Sequence, residues 1–277
     1  MNLSKSVERF TLEELTDPYG VGSPMYGHLS VFEEEKSSGV ATRRRIIETL
    51  PTYTMYSTGC VSHSGTVYIV GDSNFDYHKG AVVRVKYPAI PCDAEFKVAS
   101  ILQILTNTVT TRVSYISISQ DKNAVADSET SFATTMYTAF MPSFESIGKG
   151  DILISGSLYF RVKSDPWVDG AGFKNVSAVL LSSPLTSLTF TRISGYDPIT
   201  DTIVNGAAYP NTPVFIEDAY YSYENNSERY QQLKPGDKNI TIKPSVTPKS
   251  GDIIGSYKAL TIDSLTDGTF SCHCRKV

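Results

Sequence analysis

Cys272-His273-Cys274 is the stretch whose residue types come closest to a metal site. Zinc sites usually space paired cysteines as C-x₂₋₄-C. In a strand, alternation sends Cys272 and Cys274 to one face and His273 to the other. The triplet therefore reads as buried cysteines of a terminal strand, with no metal. Asp72, Asp76, Asp165 and Asp169 could offer oxygens to calcium. Asp72-Ser73-Asn74-Phe75-Asp76 lacks the further spaced oxygens and the closing Glu of an EF-hand loop, so its carboxylates read as turn caps. His28, His63 and His78 fall in turn-like segments without a ligand spacing. The chain has no Walker loop, no G-x-G-x-x-G after a strand, no H-E-x-x-H and no G-x-S-x-G. Neither catalytic residues nor a cofactor nor a small-molecule substrate is expected.

Residues suited to contact are more evident. Arg43-Arg44-Arg45 leads into an apolar strand, and Arg84 and Lys86 share the polar face of the strand over 81–87. Arginine forks match carboxylate and phosphate alike. These five cations are the candidates for an acidic partner surface or passing DNA, against the plainer reading of a solvated basic edge. Tyr220, Tyr221 and Tyr223 form the densest aromatic cluster, and Trp167 is the only tryptophan. Tyrosine and tryptophan give large contact area with a polar handle, so all four are interface candidates. Aspartate-rich β loops with such aromatics could also hold a sugar.

The totals bound these readings. The chain has 277 residues and a net charge of -4, which argues against a general nucleic-acid binder. Charged residues make up 19%, below the ordinary ~25%. No apolar run approaches the ~18 to 20 residues of a membrane-crossing helix. The opening MNLSKSVERFTLEEL lacks the apolar core of a signal peptide. A cytoplasmic start, and reduced thiols at Cys60, Cys92, Cys272 and Cys274, are the expectation.

The elements around these residues are mostly strands. Ile147–Val162 sets the pattern: a Gly150-Asp151 turn, the apolar run Ile152-Leu153-Ile154, a Ser155-Gly156-Ser157 reversal, and the alternating strand Leu158–Val162. Similar grammar recurs at His63–Asp72 and from Gly251-Asp252 to Ile262, which suggests one dominant structural unit. The spacing of Phe10, Leu12 and Leu15 predicts a helix before Asp17-Pro18, inside an extended arm over 1–50. Residues 51–185 are expected as a β-barrel domain with an inserted segment over 93–140. Glu95–Leu105 leans to strand, Gly71–Asp76 reads as a turn, and Tyr196–Pro213 as loop-rich with scattered short strands. A C-terminal β domain is expected over 186–277. The fold class is therefore mainly β, a small barrel or sandwich core with an N-terminal arm and a second β unit.

Arg43–Pro51, Gly65–Asp72, Asp76, Gly80 and Arg84 carry a resemblance. Gly65–Val70 matches a barrel strand of the form G-x-x-Y-x-V, and Gly150–Leu153 matches a G-D-x-L turn. Over about residues 40–185 the chain resembles head–tail connector proteins of tailed bacteriophages, the head-completion or stopper proteins of the neck. The resemblance implies a structural virion protein that is no enzyme: a small β-barrel in a homo-oligomeric ring, assembled in the host cytoplasm, between portal or adaptor and tail proteins. Passing DNA is a candidate transient contact of the basic strip, and no membrane contact is expected. The length and the unit after residue 186 depart from the family. They admit an alternative, a carbohydrate- or receptor-binding β module of a tail fibre or baseplate.

Overall fold

The computed structural model describes residues 12–30, 33–37, 40–109, 113–120, 136–182, 184–197, 199, 202–219, 234 and 236–277, with backbone alone for 33–37, 40–43, 113, 196–197 and 202–203. It is 60% strand and 3% helix, the mainly-β barrel architecture that the alternation of apolar and polar residues requires.

Three barrels follow one another along the chain. The first uses β1 (Glu13–Leu15), β2 (Met25–Leu29), β4 (Val40–Thr49), β5 (Cys60–His63), β6 (Thr66–Val70) and β8 (Ala81–Pro91). Two extra strands, β3 (Glu33–Ser37) and β7 (Asn74–His78), lengthen it. Its order is β1-β2-β4-β8-β6-β5, and a bridge between Thr16 and Ser62 closes the ring. The second uses β9 (Ala94–Ala99), β10 (Val113–Gln120), β11 (Met136–Met141), β12 (Ile152–Ser155), β13 (Leu158–Val162) and β15 (Lys174–Leu181). β14 (Trp167–Val168) is added at its edge, and the pairing of β11 with β15 closes it. The third uses β16 (Leu185–Asp197), β17 (Thr202–Asp218), β18 (Lys238–Ile242), β19 (Ile253–Ile254), β20 (Tyr257–Ser264) and β21 (Phe270–Lys276).

Counted within each barrel, the strand order is the same three times: first, second, third, sixth, fifth, fourth, and back to the first. The three stretches that share a grammar in the sequence are the fourth-to-fifth-strand hairpins of these barrels, β5–β6, β12–β13 and β19–β20. A glycine at positive φ precedes each hairpin, Gly59, Gly150 and Gly251. In each, a fifth-strand N–H returns to the turn's carbonyl: Val70 to Gly59, Val162 to Asp151 and Ala259 to Asp252, at 2.8, 2.9 and 2.8 Å.

Each barrel is filled by its own inward stripe. Leu15, Ile47, Val61, Val85 and Ala89 fill the first. Phe96, Ile116, Leu153, Phe160 and Val176 fill the second. Phe190, Val214, Ile240, Cys272 and Cys274 fill the third. Burying such an apolar side chain contributes roughly 1.5–3 kcal/mol. The chain divides into two compact units, Met1–Val98, Thr111–Ser155 and Phe160–Leu180 against Ala99–Thr110, Gly156–Tyr159 and Leu181–Val277.

Several expectations need correction. Residues 13–15 are strand, where Leu15 is fully buried, in place of the helix expected there; the rest of that stretch, 1–11, lies outside the described residues. Much of the expected arm is sheet, β1 to β4. Residues 94–141 are no insertion; they supply the first three strands of the second barrel. Ile101–Leu105 is a helix, α1, because Ser100 and Gln103 close a capping box from both sides. Asn74–His78 is strand instead of turn, and the described residues of 196–213 are strand except Ile199. A register shift between Leu188 and Phe190 of the β16–β17 ribbon falls beside Pro210. Pro88 likewise lies inside β8, at the point where its outer neighbour changes from β7 to β6 and a missing N–H costs least.

The first two barrels meet through their fifth-to-sixth-strand connections. Asp72 N–H donates to Ala171 O at 2.8 Å, and a Cβ on Gly71 would fall 2.0 Å from that same oxygen. Gly71→Ala should therefore cost about 3 kcal/mol or more. Gly170→Ala, where an added Cβ meets nothing within 4 Å, should stay within about 0.5 kcal/mol. Urea unfolding of the two variants measures the difference.

Candidate interaction surface

The clasp at Gly71 and Ala171 anchors two exposed aromatic segments. On the first-barrel side, Lys79 and Gly80 at positive φ turn β7 back into β8. β7 carries Phe75 and Tyr77, 50% and 66% exposed, with rings 6.5 Å apart. Val83, the β8 residue that the register shift leaves between the partners of Asp76 and Tyr77, is also exposed. A register shift between Asp76 and Tyr77 puts a bulge in this ribbon, which sharpens its twist. On the second-barrel side, β14 presents Trp167, 44% exposed, and Val168. Trp167 stands opposite Asn175 of β15. Asp169 shapes the return: its Oδ1 accepts from the N–H groups of Ala171 and Phe173 at 2.9 and 3.0 Å.

Of the basic candidates, Arg44, Arg84 and Lys86 lie beside this surface with acidic partners inside the fold. Arg44 donates to Asp169 Oδ2 at 3.4 Å and stacks over the Phe173 ring. Arg45 lies over Tyr68 at 5.9 Å. Arg84 donates to Glu48 at 3.0 Å, and Lys86 bridges Asp76 at 2.8 Å and Glu48 at 3.7 Å. The hydrogen bond to Asp76 raises the Lys86 pKa. These pairs cross β7, β8 and β4, as opposite charges on neighbouring strands do. The Arg43 side chain lies outside the described residues, as do Tyr220, Tyr221 and Tyr223. Phe75 and Tyr77 escape the sequence reading because Gly71–Asp76 resembles a turn. Their alternation with Asp76 and His78 ahead of Lys79-Gly80 is the signal that marks a hairpin strand.

The metal-like triplet has a structural role. Cys272 and Cys274 face the core of the third barrel, and burial pushes the Cys272 thiol up to about 12, so it stays protonated and poorly suited to ligation. All four cysteines are free thiols. Among the described residues no group of three or more His, Cys, Asp or Glu is placed to hold a metal ion. His273 turns to Asp237, with Nε2 and Oδ2 3.0 Å apart. Arg275 donates to the same carboxylate through Nε at 2.8 Å and Nη2 at 2.7 Å, and the Lys234 N–H adds a bond at 2.9 Å. Burial pushes the Asp237 carboxyl up, but the Arg275 fork, the Lys234 amide and His273 outweigh it and hold the pKa at about 2. The cluster ties the turn before β18 to β21.

Comparison with protein-family models, with curated proteins and with solved structures returns no match.

Because the folded pKa of Asp237 lies below its ordinary 3.8, its contribution is fully present above about pH 4 and is lost as pH falls towards 2. The shift corresponds to about 2 kcal/mol. Asp237→Asn should lower stability by about that much at pH 7, and chemical unfolding should show the gap closing near pH 2.

Proposed function

We propose that this chain is a structural virion protein of a tailed phage, forming a ring at the head–tail junction and joining portal-side to tail-side proteins. One observation carries the reading beyond the resemblance in sequence. The first barrel carries an aromatic ribbon that its own core does not cover, while the neighbouring cations are engaged in cross-strand pairs. Phe75, Tyr77 and Val83 are then partner contacts, and the Arg84–Glu48 and Lys86–Asp76 pairs hold the ribbon that presents them. Solid β barrels suit a spacer, because close-packed interiors transmit position with little compliance.

The test is electron microscopy of phage particles assembled with a tagged chain. A label at the head–tail junction is expected, and a label on fibre tips or absent from particles sinks the reading. Phe75→Ser with Tyr77→Ser should leave stability within about 0.5 kcal/mol and deplete the protein from particles.

A second reading, a carbohydrate-binding β module, rests on the exposed Trp167 of β14. It predicts saturable binding on a glycan array that Trp167→Ala abolishes. A flat array counts against it.

A further inference from the structure

The β7–β8 hairpin ends in a turn that one of its residues does not favour. His78 and Ala81 stand opposite each other, and Lys79 and Gly80 between them have φ of 50° and 82°. Positive φ at both central residues marks a type I′ turn. Glycine takes such angles freely and a short polar residue tolerates them, but a long side chain there carries a steric cost. The described non-glycine residues with positive φ are Ser64, Lys79, Asn107 and Asn211, and Lys79 is the one long side chain in that set. Ser64 holds the same position in the β5–β6 turn, where its Oγ lies 3.1 Å from His63 Nε2. Lys79 has no such local return. Its side chain is exposed and, among the described residues, makes no hydrogen bond or ion pair.

The other cations of the hairpin differ. Arg84 meets Glu48 at 3.0 Å and Lys86 meets Asp76 at 2.8 Å, so two cations are matched by two carboxylates. Lys79 is the unmatched positive charge of the hairpin, in a chain whose net charge is -4. It follows the exposed rings of Phe75 and Tyr77 closely in sequence.

We propose that the β7–β8 hairpin docks on an acidic surface of a different protein, with Lys79 pairing with carboxylates at the rim of an apolar socket that takes Phe75 and Tyr77. This rests on the partner-contact reading of the ribbon above and names the chemistry of the partner.

Backbone strain kept at an exposed position without a local gain points to a use outside the fold. Aromatic side chains supply the buried centre of a protein contact. A charge at its rim steers the encounter and suppresses wrong partners. Single-stranded nucleic acid also stacks on aromatic side chains, but it needs a positive groove along its backbone. Arg84 and Lys86, which would extend such a groove, are engaged by carboxylates.

Zero-length carbodiimide cross-linking of intact particles tests this, because it joins an ammonium only to a carboxylate in contact with it. Peptide mass spectrometry should find Lys79 linked to an Asp or Glu of another virion protein. Competition during assembly gives a second measure. Chains carrying Lys79→Glu, co-expressed with the unsubstituted chain, should be depleted about tenfold in particles, and Lys79→Arg should enter near parity. Asparagine suits the turn better than lysine, so Lys79→Asn should keep or raise the urea midpoint while entering particles less well. The proposal is overturned by Lys79 linked only to further copies of this chain, by particles with no Lys79 link, or by Lys79→Glu entering at parity. A lower midpoint for Lys79→Asn, or saturable binding of an oligothymidylate that Lys79→Asn abolishes, overturns it as well. A tagged chain in particles but away from the head–tail junction removes the ring role, and a Lys79 link to an acidic neighbour there still upholds this contact. A chain absent from particles removes both.

Discussion

The architecture depends on one local interaction, an aspartate that closes a turn on itself. At Gly148–Asp151, Lys234–Asp237 and Lys249–Asp252 the same four-residue turn recurs. The aspartate N–H donates to the first residue's carbonyl at 3.0 to 3.1 Å. Its carboxylate accepts the first residue's N–H at 2.7, 2.9 and 2.7 Å. The third residue is a glycine at φ between 89° and 98°, which a type II turn requires and other residues rarely adopt. Each of these turns launches a strand on the next residue, β12, β18 and β19. A reciprocal pair of hydrogen bonds fixes the direction of entry, and direction decides which strand edge is met next. Asp252 extends the principle, its second oxygen accepting from Ile193 N–H at 2.9 Å and tying the turn to the barrel's first strand. Asp237 extends it further, through His273 and Arg275, to the last strand.

Once entry is fixed, the remaining winding follows from closure. Six strands leave an interior that side chains can fill, so every second residue must be apolar and no edge stays open. Closure also explains why the extra strands matter. A barrel strand has partners on both sides, whereas β3 and β7 lengthen ribbons beyond the closed ring and, among the described residues, pair on one side alone. The same connection between fifth and sixth strands carries β7 in the first barrel and β14 in the second, while in the third it is the short turn from Leu265 to Thr269. One scaffold used three times thus varies mainly where it need not close.

The sequence reveals this unevenly. Alternation over Leu158–Val162 and Thr66–Val70, and the glycine-aspartate turns, were legible because their signals are local. The barrel count was not, since it depends on pairings such as Met136 with Val179 that no short window contains. The inserted segment was misread for that reason: strands one to three of the second barrel lack the turn grammar that marks strands four and five. Pro88 and Pro210 lie inside strands. Proline excludes one hydrogen bond; Pro88 sits where the ladder changes partner and Pro210 where it shifts register. The basic residues were found by type, but type says nothing of their partners. Arg44 and Asp169 are far apart in sequence, and only the packing of two barrels brings them together.

That packing bears on what the surface can do. An exposed aromatic ribbon on a loosely attached barrel would be a liability, because ordering it on contact would oppose binding. Here the ribbon's base is held from both sides. Gly71 is pressed against the Ala171 carbonyl, Asp72 is bonded to it, and Gly172 leaves room only for Asp72. Phe173 and Phe140 of the second barrel share a core with Cys60, Ile69 and Ile90 of the first. Farther along, Lys86 joins Asp76 to Glu48 across three strands. Surface pairs of this kind contribute little to global stability, about 0 to 1 kcal/mol each. Their effect is instead on shape: they hold β7 against β8 and fix the ribbon that carries Phe75 and Tyr77.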